Sequence, residues 1–116
     1  MTMDMKILIV EDDPAIAGAV CRHVDLWGYK GAVAEDLKDV MGQFLTWKPQ
    51  MVLLDISLPF YDGFYWCRKI REVSKVPVIF LSSASDNMNV VMAVNMGADD
   101  FIAKPFDLEV LLAKVQ

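Results

Sequence analysis

Several residue types are scarce in this 116-residue chain, and each scarcity excludes a class of protein. The two cysteines, Cys21 and Cys67, form no CxxC pair, so we expect reduced packing residues rather than a disulfide framework or a thiolate metal site. No apolar run reaches the roughly 18 residues that a membrane span requires. The apolar run at 7–10 is too short for a signal peptide, so we expect a cytoplasmic protein.

Positive charge is also scarce, because 11 Lys and Arg residues stand against 16 Asp and Glu residues. The net charge is −5 and the pI is about 4.6. Nucleic-acid binding needs clustered Lys and Arg. The composition therefore predicts that this segment does not itself contact DNA.

Hydrophobic residues are plentiful, at 55% of the chain, which favours strands buried on both faces. Short apolar runs alternate with stretches of helical spacing. The runs predict strands at 7–10, 31–34, 51–54, 78–81 and 100–103, and the stretches predict five helices whose apolar positions span 16–27, 37–45, 64–70, 88–94 and 108–115. This alternation predicts one α/β domain over residues 1–116, a flavodoxin-like (βα)5 doubly wound parallel sheet with strand order 2-1-3-4-5. The fifth predicted helix runs to Gln116 without a cap, so we expect a longer whole protein.

Polar residues follow the predicted strands at the edge where such sheets bind ligands. They are Glu11, Asp12 and Asp13 after the first strand, Asp55 after the third, Ser82 and Ser83 after the fourth, and Lys104 after the fifth. Carboxylates ~4 Å apart repel by roughly 4 kcal/mol at an effective dielectric near 20, so the cluster needs a cation. Oxygen ligands suit Mg²⁺. With the ammonium and a hydroxyl, this set holds the groups that phosphoryl transfer requires.

Three nearby residues have structural explanations. Asp13 precedes Pro14 and is better explained as a helix N-cap than as a metal ligand. Asp62-Gly63 is typical of a turn and helix cap. Trp66 falls one residue off the apolar face of the third predicted helix, which predicts a partner contact.

Four segments, 7–13, 55–63, 76–82 and 97–106, resemble response-regulator receiver domains in order and spacing. The resemblance covers essentially the whole chain. The segment 97–106 is most similar to the OmpR/PhoB subfamily. The tracts 62–71 and 80–83 look like the bacitracin-resistance regulators of Gram-positive bacteria.

The resemblance implies site roles at seven positions. They are the phosphoacceptor Asp55, which is also a metal ligand, the direct Mg²⁺ ligand Asp12, Glu11 holding the metal through water, the backbone carbonyl of Ser57 as a further ligand, the phosphate-sensing pair Ser82 and Lys104, and the aromatic switch residue Phe101. The resemblance implies that the protein is not an enzyme, except that it catalyses its own Mg²⁺-dependent phosphorylation and dephosphorylation.

The resemblance also implies partners. A sensor histidine kinase would donate the phosphoryl group, and a C-terminal DNA-binding domain outside this chain would regulate transcription. A homodimer would form through helix 4, strand 5 and helix 5. Val90 and Val110 stand where the subfamily carries charges of that interface, while Asp99, Asp100 and Lys114 remain.

Three other classes of protein compete with this prediction. A haloacid-dehalogenase-type phosphatase needs a second Asp two residues after the nucleophile, where this chain has Ser57. A flavin-binding flavodoxin needs a Ser/Thr-rich phosphate loop after the first strand, where this chain is acidic. A pseudo-receiver that binds partners without phosphorylation is the remaining alternative, and Asp12, Asp55 and Lys104 argue against it.

Overall fold

A computed structural model describes residues 5–82, 100–103 and 113–114. The chain alternates strands and helices in the order β1 (Lys6–Val10), α1 (Pro14–Leu26), β2 (Lys30–Val33), α2 (Val40–Trp47), β3 (Met51–Asp55), α3 (Gly63–Val73), β4 (Val78–Ser82) and β5 (Asp100–Ala103). The strands form one parallel sheet in the order β2-β1-β3-β4-β5. The predicted fold class and strand order are confirmed.

Both faces of the sheet are covered, which explains the continuous apolar runs. Side chains alternate along each strand, so Leu8 and Val52 pack with α2 and α3 on one face. Ile9 and Leu53 pack with α1 on the other face. The centre of the sheet is therefore dry, and polar side chains are left to the strand ends.

An aspartate caps the N-terminus of each of α1, α2 and α3. The Asp13 carboxylate accepts a hydrogen bond from Ala15 N at 2.9 Å, and Pro14 occupies the first turn of α1. Asp39 and Asp62 cap α2 and α3 in the same way. The predicted capping roles of Asp13 and Asp62 are confirmed.

The structure corrects one helix start and one side-chain position. The periodicity began the second helix near Leu37, but α2 begins at Val40, because Asp39 accepts a hydrogen bond from Gly42 N at 3.0 Å. Trp66 was expected at the surface, yet only 3% of it is exposed. Its ring packs edge-on against Tyr61 and Tyr65, which shield it from solvent.

The predicted fourth helix lies outside the described residues, as does most of the fifth, of which residues 113 and 114 are helical. Within the described ranges, the helices are all too short or too polar to traverse a bilayer.

Candidate functional site

Three acidic residues meet at the carboxyl ends of β1 and β3. Glu11 and Asp12 directly follow β1, and Asp55 is the last residue of β3. These strands are neighbours, with Val10 paired to Leu54, so their ends open at the same edge. One carboxylate oxygen from each of the three acids lies within 4.8 Å of the others.

The cluster is only partly open to water. Glu11 is 4% exposed and Asp55 is 2% exposed, whereas Asp12 lies at the surface. Burial of carboxylates is costly unless opposite charge or hydrogen bonds compensate it. Of the three side chains, Asp12 is therefore the one that solvent reaches.

Backbone amides orient two of the three carboxylates. Asp13 N donates to Glu11 Oε2 at 3.2 Å, and Ser57 N donates to Asp55 Oδ1 at 3.3 Å. The chain is anchored next to Asp55 as well, because Ile56 N donates to the Leu81 carbonyl of β4 at 3.1 Å. The carboxylates are therefore held in place by the strand ends rather than by long flexible loops.

The donor set suits a hard divalent cation. Mg²⁺ prefers oxygen ligands and usually keeps several waters, so a few carboxylates with one exposed side are an appropriate partial coordination shell. The three negative charges also repel one another, and a bound dication would relieve that repulsion. Glu11, Asp12 and Asp55 therefore fit the predicted metal.

The structure describes three of the other expected site residues, and none of the three belongs to the acidic cluster. Ser57 lies at the surface two residues after Asp55. Ser82 ends β4 and pairs with Ala103, while Phe101 of β5 pairs with Phe80. Lys104, expected to sense phosphate, lies outside the described residues, as does Ser83.

The loop from β3 to α3 contains features that periodicity did not reveal. Phe60 has a left-handed backbone, with φ of 71°, and its side chain is 65% exposed. Lys38 Nζ lies 4.8 Å from the centre of the Phe60 ring, which joins this loop to the one before α2. Gly63 lies against the backbone of Asp55. In the sequence, the Asp62-Gly63 pair indicates only a turn and a helix cap, so this contact could not be predicted from it.

Comparisons with known proteins show which family the chain resembles. The family model described as response regulator receiver domain matches residues 7–116. The transcriptional regulatory protein YvcP of Bacillus subtilis (strain 168) is 51% identical over 111 residues, which are 96% of this chain and 47% of that protein. The chain thus spans about half the length of this relative.

Solved structures of response regulators also match the chain. The N-terminal domain of NsrR, described as a nisin resistance regulator, matches with a TM-score of 0.89 and 42% identity, over 97% of this chain and 96% of that one. DrrB, described as a Thermotoga maritima OmpR/PhoB homolog, matches with a TM-score of 0.85 and 35% identity, over 97% of this chain and 51% of that one.

Proposed function

The chain belongs to the response regulator receiver domain family, and on this premise we propose that Asp55 accepts a phosphoryl group in an Mg²⁺-dependent reaction. The observation that carries the proposal is the convergence of Glu11, Asp12 and Asp55 within 4.8 Å. Two of these acids lie on one strand end and the third on its neighbour, so the fold itself creates the cluster. An acidic group of this kind needs a cation, and a cation beside a carboxylate favours phosphoryl chemistry.

In the proposed reaction, a carboxylate oxygen of Asp55 attacks the phosphorus of the donor. An O–P bond to Asp55 forms as the P–N bond of a kinase phosphohistidine breaks, and the histidine nitrogen keeps the bonding electron pair. Ser57 N holds Asp55 Oδ1 from one side, which orients the carboxylate before attack. A bound Mg²⁺ would neutralise charge on the transferred phosphoryl oxygens. Asp12, Asp55, the Ser57 carbonyl and, through water, Glu11 would hold it.

Three further residues have proposed roles that rest on the family. Lys104 would neutralise a phosphoryl oxygen, and the Ser82 hydroxyl would donate a hydrogen bond to another. Phe101, which lies on β5, would change its side-chain position when Ser82 makes this contact. These contacts would change the surface that the rest of a regulator recognises.

The proposed partners follow from the same chemistry. A sensor histidine kinase would be the phosphodonor. The whole protein would regulate transcription through a DNA-binding segment beyond this chain. Phosphorylation would promote a homodimer through helix 4, strand 5 and helix 5. The described relatives are response regulators, and they do not support the phosphorylation-independent alternative.

The direct test is incubation of the chain with acetyl phosphate and Mg²⁺, followed by intact-mass spectrometry. We expect the mass to increase by one phosphoryl group, and we expect EDTA to abolish the increase. Asp55→Ala should remain unmodified. Asp36→Asn is a matched control, because Asp36 is an exposed acid outside the cluster, and it should be modified like the wild type.

Two results would contradict the proposal. One is a wild-type chain that gains no phosphoryl group although it is folded. The other is an Asp55→Ala chain that is modified at the wild-type rate, since the phosphoryl group would then reside elsewhere.

A further inference from the structure

The first residue of α3 lies in direct contact with the backbone that carries Asp55. A Cβ atom built on Gly63 would lie 2.3 Å from the Asp55 carbonyl oxygen and 2.9 Å from Ile56 Cα. Real Cβ contacts are essentially never shorter than 3.0 Å. The atoms in the way belong to the main chain, so no side-chain rotation can relieve the overlap. Only glycine allows α3 to begin here without displacing the end of β3.

This contact coincides with a hydrogen bond that fixes the next peptide unit. Gly63 N donates to the Ile56 carbonyl at 2.9 Å, and Leu58 N donates to the same oxygen at 3.1 Å. On its other side, Ile56 N donates to the Leu81 carbonyl at 3.1 Å. Ile56 is therefore held by β4, by its own loop and by the start of α3.

The residues on either side of Ile56 belong to the proposed site. Asp55 precedes it, and Ser57 follows it with an amide that donates to Asp55 Oδ1. A shift of the Ile56 peptide would therefore move the attacking carboxylate, the amide that orients it and the proposed carbonyl ligand of Ser57.

We propose that Gly63 is a positioning residue for phosphoryl transfer: its missing side chain lets the start of α3 hold the Asp55–Ser57 backbone in the geometry that metal binding and attack require. This inference rests on the proposed function. Gly63 does not touch the phosphoryl group; it acts through the main chain of Asp55 and Ile56.

The expected effect of Gly63→Ala follows from the overlap. Raising the Cβ–oxygen distance from 2.3 Å to 3.0 Å requires a movement of about 0.7 Å. Misplacement of reacting groups by ~1 Å costs on the order of 100-fold in rate. We expect the initial rate of phosphorylation by acetyl phosphate to fall about 10- to 100-fold, with weaker Mg²⁺ binding.

Two control variants separate positioning from loss of stability. Asp62→Ala removes the carboxylate that accepts from Tyr65 N at 2.9 Å, so it weakens the start of α3 without adding an atom near Asp55. Gly31→Ala adds a Cβ at the other end of the sheet, where it meets the Cys21 side chain at 3.1 Å. Asp62→Ala should lower the urea midpoint, and both variants should keep wild-type Mg²⁺ affinity and phosphorylation rate per folded molecule.

The experiment combines Mg²⁺ titration calorimetry with phosphorylation by acetyl phosphate, on chains that circular dichroism shows to be folded. Loss of affinity and rate in Gly63→Ala alone supports the inference. A folded Gly63→Ala chain within about twofold of the wild type overturns it, as does an equal loss in Asp62→Ala. A wild type that neither binds Mg²⁺ nor is modified overturns the proposed function, and this inference with it.

Hydrogen exchange of the wild type gives a test that does not require the variant to fold. Because linkage is reciprocal, a contact that favours Mg²⁺ binding must itself be stabilised by Mg²⁺. We expect the Gly63 amide to exchange at least about fivefold more slowly with Mg²⁺. The Ser74 amide, which donates to Ile70 at the far end of α3, should be unaffected. Unchanged exchange at Gly63 in a chain that binds Mg²⁺ would overturn the inference.

Discussion

Neutralising Asp55 should make the metal-free chain more stable. Its carboxylate lies within 4.8 Å of carboxylate oxygens of Glu11 and Asp12. Asp55→Asn keeps the size of the side chain and the oxygen that accepts from Ser57 N, but it removes the charge. The substitution therefore tests the repulsion within the cluster separately from packing.

The magnitude can be worked from this separation. Two unit charges 4.8 Å apart repel by about 3.5 kcal/mol at an effective dielectric of 20. Glu11 and Asp55 are both buried, so their pair dominates, whereas exposed Asp12 is screened by solvent. After allowance for the hydrogen bonds that these carboxylates accept, we expect the free energy of unfolding to rise by about 1–3 kcal/mol in EDTA.

Urea denaturation followed by circular dichroism measures this difference. With a urea m-value of about 2 kcal/mol/M, a gain of about 2 kcal/mol moves the midpoint up by about 1 M. Mg²⁺ at about 100 times its dissociation constant should then stabilise the wild type by about 2.7 kcal/mol and the variant far less. The difference in free energy of unfolding between the variant and the wild type should therefore shrink or change sign when the metal is added.

Asp36→Asn is the control, since this exposed acid lies outside the cluster. The free energy of unfolding of this variant should differ from that of the wild type by less than about 0.5 kcal/mol. An Asp55→Asn chain that is less stable than the wild type in EDTA would refute the reasoning, because repulsion would then not be the dominant electrostatic interaction of Asp55. Equal stabilisation of both chains by Mg²⁺ would refute the assignment of the metal to this cluster.

The α1 cap, the Trp66 ring and the Cys21 thiol can each be tested separately. Asp13→Ala should cost about 1 kcal/mol of stability through loss of the α1 cap and leave Mg²⁺ affinity unchanged in calorimetry. Asp12→Ala should weaken Mg²⁺ binding and leave the α1 cap and its contribution to stability in place. Trp66→Phe should change the urea-derived stability by less than about 1 kcal/mol, because the buried indole N–H has no acceptor within the described part of the chain; Trp66→Ala should cost about 3–5 kcal/mol. Burial, and then the charge of Asp25, raises the pKa of the Cys21 thiol, so less thiolate is present at a given pH. Iodoacetamide should therefore label Cys21 more slowly in the folded chain than in urea at pH 8, and Asp25→Asn should speed labelling of the folded chain; equal folded and unfolded rates would contradict this.

The fold could be predicted because its signals are local and repeated. Residues 51–54 form an apolar run too short for a helix, and the structure buries all four of them. The strand order followed because a parallel sheet with helices on both faces has few arrangements. Helix bounds were less predictable: Leu37 fits the helical period and packs against the core, yet it belongs to the loop before α2. Periodicity records burial, whereas the cap at Asp39 decides where the helical hydrogen bonds start.

The candidate site could be predicted only where its residues sit at strand ends. Glu11, Asp12 and Asp55 come together because the two strands that carry them are neighbours, so strand order was sufficient to expect the cluster. Gly63 has no such signal, because its role depends on where α3 returns against β3, a three-dimensional approach that no spacing encodes. Substitution at Gly63 would move the main chain under Asp55 while leaving every carboxylate of the cluster in the sequence. A chain can therefore retain the whole acidic motif and lose the site, and the start of α3 decides which outcome occurs.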